Sequence, residues 1–184
     1  MRTTAEALDL AMNFHPSPED EKSRELILAL LEQTEAPFSR HQFHPGHITC
    51  TAMVLHPDCR RILLIHHRRL RRWLLPGGHV EETDVNLAGT ARREAMEETA
   101  VRIAPASVVR LVGMDVHAIP THKHEPFHLH HDFIFTMRAE SEVVERTEEA
   151  PNLVWCALDE FDNYSVPSNI IRATHRANDH VNNY

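Results

Sequence analysis

Residues 75–101 read LPGGHVEETDVNLAGTARREAMEETAV, a glycine pair followed by a segment rich in acidic residues. Glu94, Glu97 and Glu98 are spaced i, i+3 and i+4, so on a helix their carboxylates share one face. Like charges at this spacing repel by a few tenths of a kcal/mol per pair on an open helix. Because a divalent cation would offset that repulsion, the spacing predicts a cation site on this helix.

The other residues of the stretch suit a pyrophosphate bound through a metal ion. The paired glycines, Gly77 and Gly78, allow unusual backbone dihedral angles and the close approach of a ligand. Clustered carboxylates suit Mg²⁺ or Mn²⁺, and Arg93 can pair with the acidic face and hold it in place. A metal ion there would neutralise phosphate charge and lower the pKa of a bound water that attacks phosphorus.

These residues resemble the Nudix box, G-x5-E-x7-R-E-U-x-E-E-x-G-U, in which U is a bulky aliphatic residue. Gly78 stands at the opening glycine, Arg93-Glu94 at the RE pair, Glu97-Glu98 at the EE pair and Val101 at the closing position. The resemblance implies a Nudix hydrolase with an α/β (α+β) fold, an α/β/α sandwich around a mixed sheet. Because it covers about residues 45–180, we expect an N-terminal helical extension over residues 1–40 and a hydrolase domain over residues 41–184.

The chain departs from the box in four respects. Asp84 stands in place of the box glutamate, and eight residues rather than seven separate it from Arg93. Ala95 replaces the bulky aliphatic residue, and Ala100 replaces the glycine after the EE pair. If Ala100 adopts the left-handed conformation, the backbone strain costs about 1 kcal/mol. Since no departure removes a metal-binding carboxylate, the enzyme interpretation stands.

The resemblance also implies roles for individual residues. Metal ligands are expected at the Gly77 carbonyl, Glu94, Glu97, Glu98 and, in the loop before the last strand, Glu149 in preference to Glu148. Catalytic roles are expected for Arg93, Glu94 and Glu97. Glu94 binds the metal or orients and deprotonates the attacking water, and Arg93 supports Glu94 and Glu97.

Histidines form a second candidate site. His128, His130 and Asp132 alternate along a predicted strand, so their side chains share one face of a sheet. Two interpretations remain open for these residues and for four other histidines, His117, His122, His124 and His131. They could bind a second metal or the phosphates of a substrate, or they could form a polar surface that binds nothing. Neutral imidazole suits Zn²⁺ or Ni²⁺ better than Mg²⁺. We take His128, His130 and Asp132 as substrate-binding candidates, because an apolar run follows them.

Two further substrate-binding candidates lie elsewhere in the chain. Four arginines within residues 68–72 precede the glycine pair and could clamp an anionic substrate, although a solvated loop is the simpler interpretation for most of them. Arg72 is the candidate among them. Asn169 could read a nucleobase edge or serve the N-terminus of a helix.

Residue patterns predict the remaining elements. Helices are expected over residues 3–14, from an N-cap at Ser17 to before Pro37, and over residues 85–99 and 166–178. Strands are expected over residues 48–55, 61–66, 73–75, 108–117, 128–138 and 153–156. We expect the first two strands to form a hairpin, and the N-terminal helices to pack on the domain or on a second subunit.

Composition limits the partners. The net charge of −8 argues against binding to nucleic-acid backbones, but not against a small anionic substrate held through a metal. Three scattered cysteines fit a reducing cytoplasm. The sequence shows neither a signal peptide nor an apolar run of about 18 residues that could span a membrane. We therefore expect a cytoplasmic protein that binds a nucleotide or nucleoside diphosphate derivative, and a possible homodimer.

These observations predict a metal-dependent hydrolase that cleaves a phosphoanhydride (pyrophosphate) bond in a nucleoside diphosphate-linked substrate, with Mg²⁺ or Mn²⁺ as cofactor. The alternative is a catalytically inactive sensor of the same fold that binds a nucleotide or metal. A third possibility is an isomerase of this fold that acts on an allylic diphosphate. It requires a catalytic cysteine in its own motif, and Cys50 lacks that context.

Overall fold

A computed structural model of the chain describes residues 4–181, with side chains as far as residue 178. The helices are α1 (Thr4–Asn13), α2 (Glu21–Gln33), α3 (Leu87–Thr99) and α4 (Ser168–Val181), with a 3-10 segment at Leu158–Tyr164. The strands are β1 (Gly46–Leu55), β2 (Arg61–His67), β3 (Arg72–Leu74), β4 (Gly77–His79), β5 (Arg110–Ile119), β6 (His128–Arg138) and β7 (Leu153–Ala157). Thr3, which the sequence assigns to the first helix, lies outside the described residues.

One mixed sheet contains all seven strands. Its order is β3-β2-β1-β6-β5, with β7 also paired to β2 and β4 to β1. Strands β1 and β6 are parallel along their length, whereas the other pairs are antiparallel. The predicted β1–β2 hairpin forms, but its register joins only Leu55 to Ile62. The short, unpredicted strand β4 pairs with the free part of β1, so Gly77 and Gly78 lie opposite Thr51 and Cys50.

Helices cover both faces of the sheet, which confirms the predicted fold class. Side chains alternate between the faces along each strand. Ile48, Cys50 and Phe133 belong to a buried cluster that includes residues of α1, α2 and α3. Met53 and Ile134 belong to a second buried cluster that includes residues of α4. Within the described residues, no helix is both long and apolar enough to cross a membrane.

The N-terminal helices pack on this domain. Ala7, Ala11 and Ile27 are fully buried in the cluster that also contains the sheet residues. Helix α2 begins at Glu21, so the predicted N-cap at Ser17 is wrong. The Ser17 carbonyl instead accepts hydrogen bonds from the amides of Asp20 and Glu21 in a turn before the helix.

Helix α3 has well-defined ends. It begins after Asn86, whose Oδ1 accepts a 2.7 Å hydrogen bond from the Gly89 amide and so caps the helix. It ends at Ala100, which adopts the left-handed conformation with φ 53° and ψ 14°. An alanine therefore occupies the position where the box has a glycine, with the strain that the sequence predicts.

Candidate active site

Arg93 lies at the centre of the acidic cluster, which we define as Glu94, Glu97 and Glu98. Its Nη1 donates hydrogen bonds to Glu94 Oε1 and Glu97 Oε2, each at 2.9 Å. Its Nε and Nη2 donate to the two carboxylate oxygens of Asp84, at 2.8 and 3.0 Å. The rigid guanidinium is therefore fixed by one carboxylate and positions two others.

Asp84 anchors this arrangement from the loop before α3. Its side chain is only 4% exposed, and it also accepts hydrogen bonds of 2.8 Å from the Glu81 amide and Thr90 Oγ1. Although burial acts to raise it, the pKa of Asp84 is lowered to about 2 by the bonds from Arg93, Glu81 and Thr90. The shorter acid and the inserted residue are thus compatible with a two-pronged ion pair to Arg93.

Gly77 and Gly78 are required by space rather than by backbone conformation. Neither has a positive φ angle, so the prediction of unusual dihedral angles is wrong here. A Cβ atom on Gly78 would lie 2.6 Å from Glu94 Cδ, and one on Gly77 would lie 2.7 Å from the Cys50 carbonyl oxygen. The absence of side chains lets β4 approach both α3 and β1 closely.

Glu98 is the buried member of the acidic cluster. It is 6% exposed, and its Oε2 accepts a 2.9 Å hydrogen bond from the Gly77 amide. Burial above all, with the negative charges of Glu94, Glu149 and Glu97, raises the pKa of Glu98 to about 8 despite the Gly77 hydrogen bond. A bound cation would offset the cost of a charged carboxylate at this position.

The three predicted glutamate ligands of α3 lie in its last two turns. Glu97 is 58% exposed, and Glu149 is an exposed residue whose charge acts on Glu98. The Gly77 backbone lies against Glu98. A set of carboxylate and carbonyl oxygens fits Mg²⁺ or Mn²⁺. The buried Glu98, with several acids around it, is the feature that most favours a cation.

Histidines occupy the sheet face opposite α3. The His130 ring lies 4.9–5.5 Å, between ring centroids, from four others, which belong to His47, His79, His117 and His128. Burial lowers the pKa of His47, His79 and His130, and that of His79 falls to about 4. These imidazoles are therefore neutral at pH 7.

The remaining substrate-binding candidates are more scattered. Asp132 is buried on the same sheet face as His130, accepts a 3.0 Å hydrogen bond from Thr49 Oγ1, and has a pKa that burial raises. Arg72 is exposed in β3, and Asn169 is half-buried at the start of α4. In the described part of the chain, no hydrogen bond or ion pair joins Arg72 or Asn169 to the acidic cluster or to these histidines. Among the loop arginines, Arg69 is tied to Glu125 at 2.9 Å.

Sequence patterns did not identify His47 and His79. His47 lies opposite His130 only because β1 and β6 pair in parallel, and 83 positions separate the two residues in the chain. His79 follows the glycine pair directly. Because successive residues of a strand face opposite sides and Gly78 faces α3, the His79 side chain points to the sheet face away from α3. Alternation along β4 would have been a usable signal, had that strand been predicted.

Comparisons with known proteins agree with this architecture. A family model of the NUDIX domain matches residues 46–175. No curated protein matches the sequence. Among solved structures, the E. coli dihydroneopterin triphosphate pyrophosphohydrolase matches with a TM-score of 0.57 at 18% identity, over 70% of this chain and 92% of that one.

Two further solved structures show the same fold. The NUDIX domain of Shewanella oneidensis NrtR, solved with ADP-ribose, matches with a TM-score of 0.56 at 17% identity, over 83% of this chain and 97% of that one. A C. elegans Ap4A hydrolase matches with a TM-score of 0.54 at 13% identity, over 74% and 98%. At such identities the likeness establishes the fold. The family model, which covers most of the chain, confirms the predicted family and its enzyme class, the pyrophosphohydrolases: the chain belongs to the Nudix hydrolase family.

Proposed function

We propose that the protein hydrolyses a phosphoanhydride bond in a nucleoside diphosphate linked to a further group, with Mg²⁺ or Mn²⁺ as cofactor. The observation that carries this proposal is the Arg93 arrangement. One buried ion pair to Asp84 fixes the guanidinium, and the guanidinium then holds Glu94 and Glu97 at 2.9 Å beside the buried Glu98.

The cation would be held by the acidic cluster, with Glu149 and the Gly77 carbonyl as further ligands. When bound, it would neutralise phosphate charge and make the attacking water more acidic. Glu98 would be held in place by the Gly77 amide, and Glu97 by Arg93. Arg93 is thus a positioning residue for its carboxylates.

Glu94 is the proposed general base. It lies between the Arg93 guanidinium and the backbone of Gly78, so its carboxylate is fixed on two sides. In the proposed step, a water oxygen attacks phosphorus and its proton passes to Glu94. The bridging phosphorus–oxygen bond breaks, and its electrons leave with the departing phosphate.

Substrate recognition is proposed for residues outside the box, namely Arg72, His128, His130, Asp132 and Asn169. His128 and His130 lie on one polar face with ring centroids 5.2 Å apart, which supports that part of the set. The three cysteines are free thiols, which supports the proposed location in a reducing cytoplasm. The homodimer stays a prediction.

A substrate panel tests the function. The purified protein is incubated with Mg²⁺ or Mn²⁺ and ADP-ribose, nucleoside diphosphate sugars, dinucleoside polyphosphates and nucleoside triphosphates, and mass spectrometry identifies the products. We expect cleavage between two phosphorus atoms in at least one nucleoside diphosphate-linked compound. Binding without turnover across the whole panel would instead favour the inactive sensor.

A further inference from the structure

Three histidines from different strands converge on the sheet face opposite α3. His47 lies in β1, His79 in β4 and His130 in β6. Their ring centroids are 5.0 Å apart for His47 and His79, 4.9 Å for His47 and His130, and 5.3 Å for His79 and His130. One nitrogen from each ring lies within 4.8 Å of the other two. We call these residues the histidine trio.

His47 has the hydrogen bonding of a metal ligand. It is 1% exposed, and its Nδ1 lies 3.0 Å from the Gln42 carbonyl oxygen. That carbonyl requires a proton on Nδ1, so the lone pair is on Nε2. Nε2 is buried and has no hydrogen-bond partner among the described residues. Metal-binding histidines commonly donate one ring N–H to a carbonyl in this way and present the other nitrogen to the ion.

The other two histidines are free to adjust. Both are half-buried, and neither ring hydrogen-bonds to another described residue. Tetrahedral Zn²⁺ with bonds of about 2.0–2.1 Å places its nitrogen ligands about 3.4 Å apart. Small rotations of His79 and His130 toward the buried His47 would close the trio to that spacing.

We propose that His47, His79 and His130 bind one transition-metal ion of the zinc class, with a fourth coordination position open to water or a ligand. Imidazole nitrogens suit Zn²⁺ and disfavour Mg²⁺, so the trio and the acidic cluster select different ions. This proposal replaces direct substrate contact as the role of His130. It does not depend on the proposed hydrolysis.

Strand β4 connects the histidine trio with the acidic cluster. The backbone of this three-residue strand contacts the acidic cluster at Gly77 and Gly78, while its last side chain belongs to the trio. A metal ion there would join β4 to β1 and β6. We therefore expect Zn²⁺ to raise the unfolding temperature of the protein.

Zinc titration of metal-free protein tests the proposal. Calorimetry and metal analysis of the intact chain should show one Zn²⁺ that persists in Glu98→Gln, and Co²⁺ in its place should give the visible absorption of tetrahedral coordination. His130→Gln and His79→Gln should each weaken Zn²⁺ binding by at least about 100-fold, since the loss of an outer partner alone costs 10- to 100-fold. His175→Gln, at an exposed position on α4, should bind like the unmodified chain.

Three outcomes would overturn the proposal. They are no Zn²⁺ binding by the unmodified chain, unchanged binding in both trio variants, and loss of Zn²⁺ in Glu98→Gln but not in the trio variants. Circular dichroism of each metal-free variant checks folding. If His130→Gln does not fold, Zn²⁺ binding by His79→Gln decides between the outcomes.

Discussion

The acidic cluster and the histidine trio are built in opposite ways. The acidic cluster lies within five consecutive residues of one helix, so the helical repeat alone brings its side chains together. The trio comes from three strands whose residues are distant in the chain, and only the parallel pairing of β1 and β6 with the added strand β4 brings them together. One kind of site can be read from spacing, whereas the other requires the sheet register.

The two clusters also differ in how their groups are held. Four hydrogen bonds join the Arg93 guanidinium to three carboxylates, with Asp84 as the anchor. The described trio has one such restraint, between His47 and the Gln42 carbonyl. The acidic cluster is therefore preorganised without a ligand, and the trio is expected to become ordered when metal binds.

Of the changes that distinguish the two clusters, removal of divalent cations should have the largest effect on turnover. Excess EDTA is expected to abolish turnover of whichever nucleotide the protein cleaves, because the acidic cluster alone cannot neutralise phosphate charge. Mg²⁺ or Mn²⁺ should restore turnover, whereas one equivalent of Zn²⁺ should bind the trio and leave the rate low. Initial rates in each metal measure this. Full turnover in EDTA would contradict a metal-dependent reaction.

Arg93→Ala should break the acidic cluster from within. It leaves Asp84 buried without its ion-pair partner, a change that costs about 3–5 kcal/mol of unfolding free energy. Denaturant titration measures the loss. The matched control is Arg92→Ala, next to it and exposed, which should change stability by less than about 0.5 kcal/mol. Equal stability of the two variants would show that the Asp84 pair does not anchor the site.

Acid should destabilise the protein in two separate pH windows. Burial lowers the pKa of His131 to about 4, so its contribution of about 3 kcal/mol is present above pH 6.5 and is lost as the pH falls toward 4. The pKa of Asp84 is about 2 against an ordinary value of 3.8, so its contribution of about 2 kcal/mol is lost only between pH 4 and pH 2.

Unfolding free energy measured from pH 7 to pH 2 tests this order. Asp84→Asn should flatten the lower window alone, and His131→Gln should reduce the loss of stability in the upper one, where His79 and Glu98 also titrate. A single transition that responds equally to both variants would contradict the assignment.

Ala100→Gly should have the smallest effect and the opposite sign. Glycine removes the strain of the left-handed conformation at the end of α3, so we expect a gain of about 1 kcal/mol in unfolding free energy. The control is Ala88→Gly inside the same helix, which should lose about 0.5–1 kcal/mol. Loss of stability in both variants would show that the conformation at residue 100 is not strained.

Sequence patterns predicted the locally encoded part of the molecule. Helix α3 and strands β1 and β6 follow from periodic apolar positions and lie close to the predicted bounds. Strand β4 was missed because three residues, two of them glycine, carry no strand preference. The start of α2 was misplaced at Ser17, whereas its N-cap is Asp20, which accepts hydrogen bonds from Arg172 and Arg176 on α4, far away in the chain.

The same distinction applies to the candidate site. Arg93 with Glu94 and Glu97 could be predicted, since all three lie within five residues of one helix. The contact of Arg93 with Asp84 spans a loop and an inserted residue, so its geometry required the structure. The convergence of His47 and His79 on His130 depends on long-range pairing, which no local pattern encodes.

Glu98→Gln provides the most direct test of the central claim, that the acidic cluster holds the cation for hydrolysis. The variant keeps the size of the side chain and removes the carboxylate that would become charged when the cation binds. With Mg²⁺ and the best substrate of the panel, we expect kcat/KM to fall by at least about 100-fold, roughly 3 kcal/mol of transition-state stabilisation. The exposed control Glu82→Gln should keep full activity. A folded Glu98→Gln variant with unchanged Mg²⁺-dependent turnover would contradict the claim.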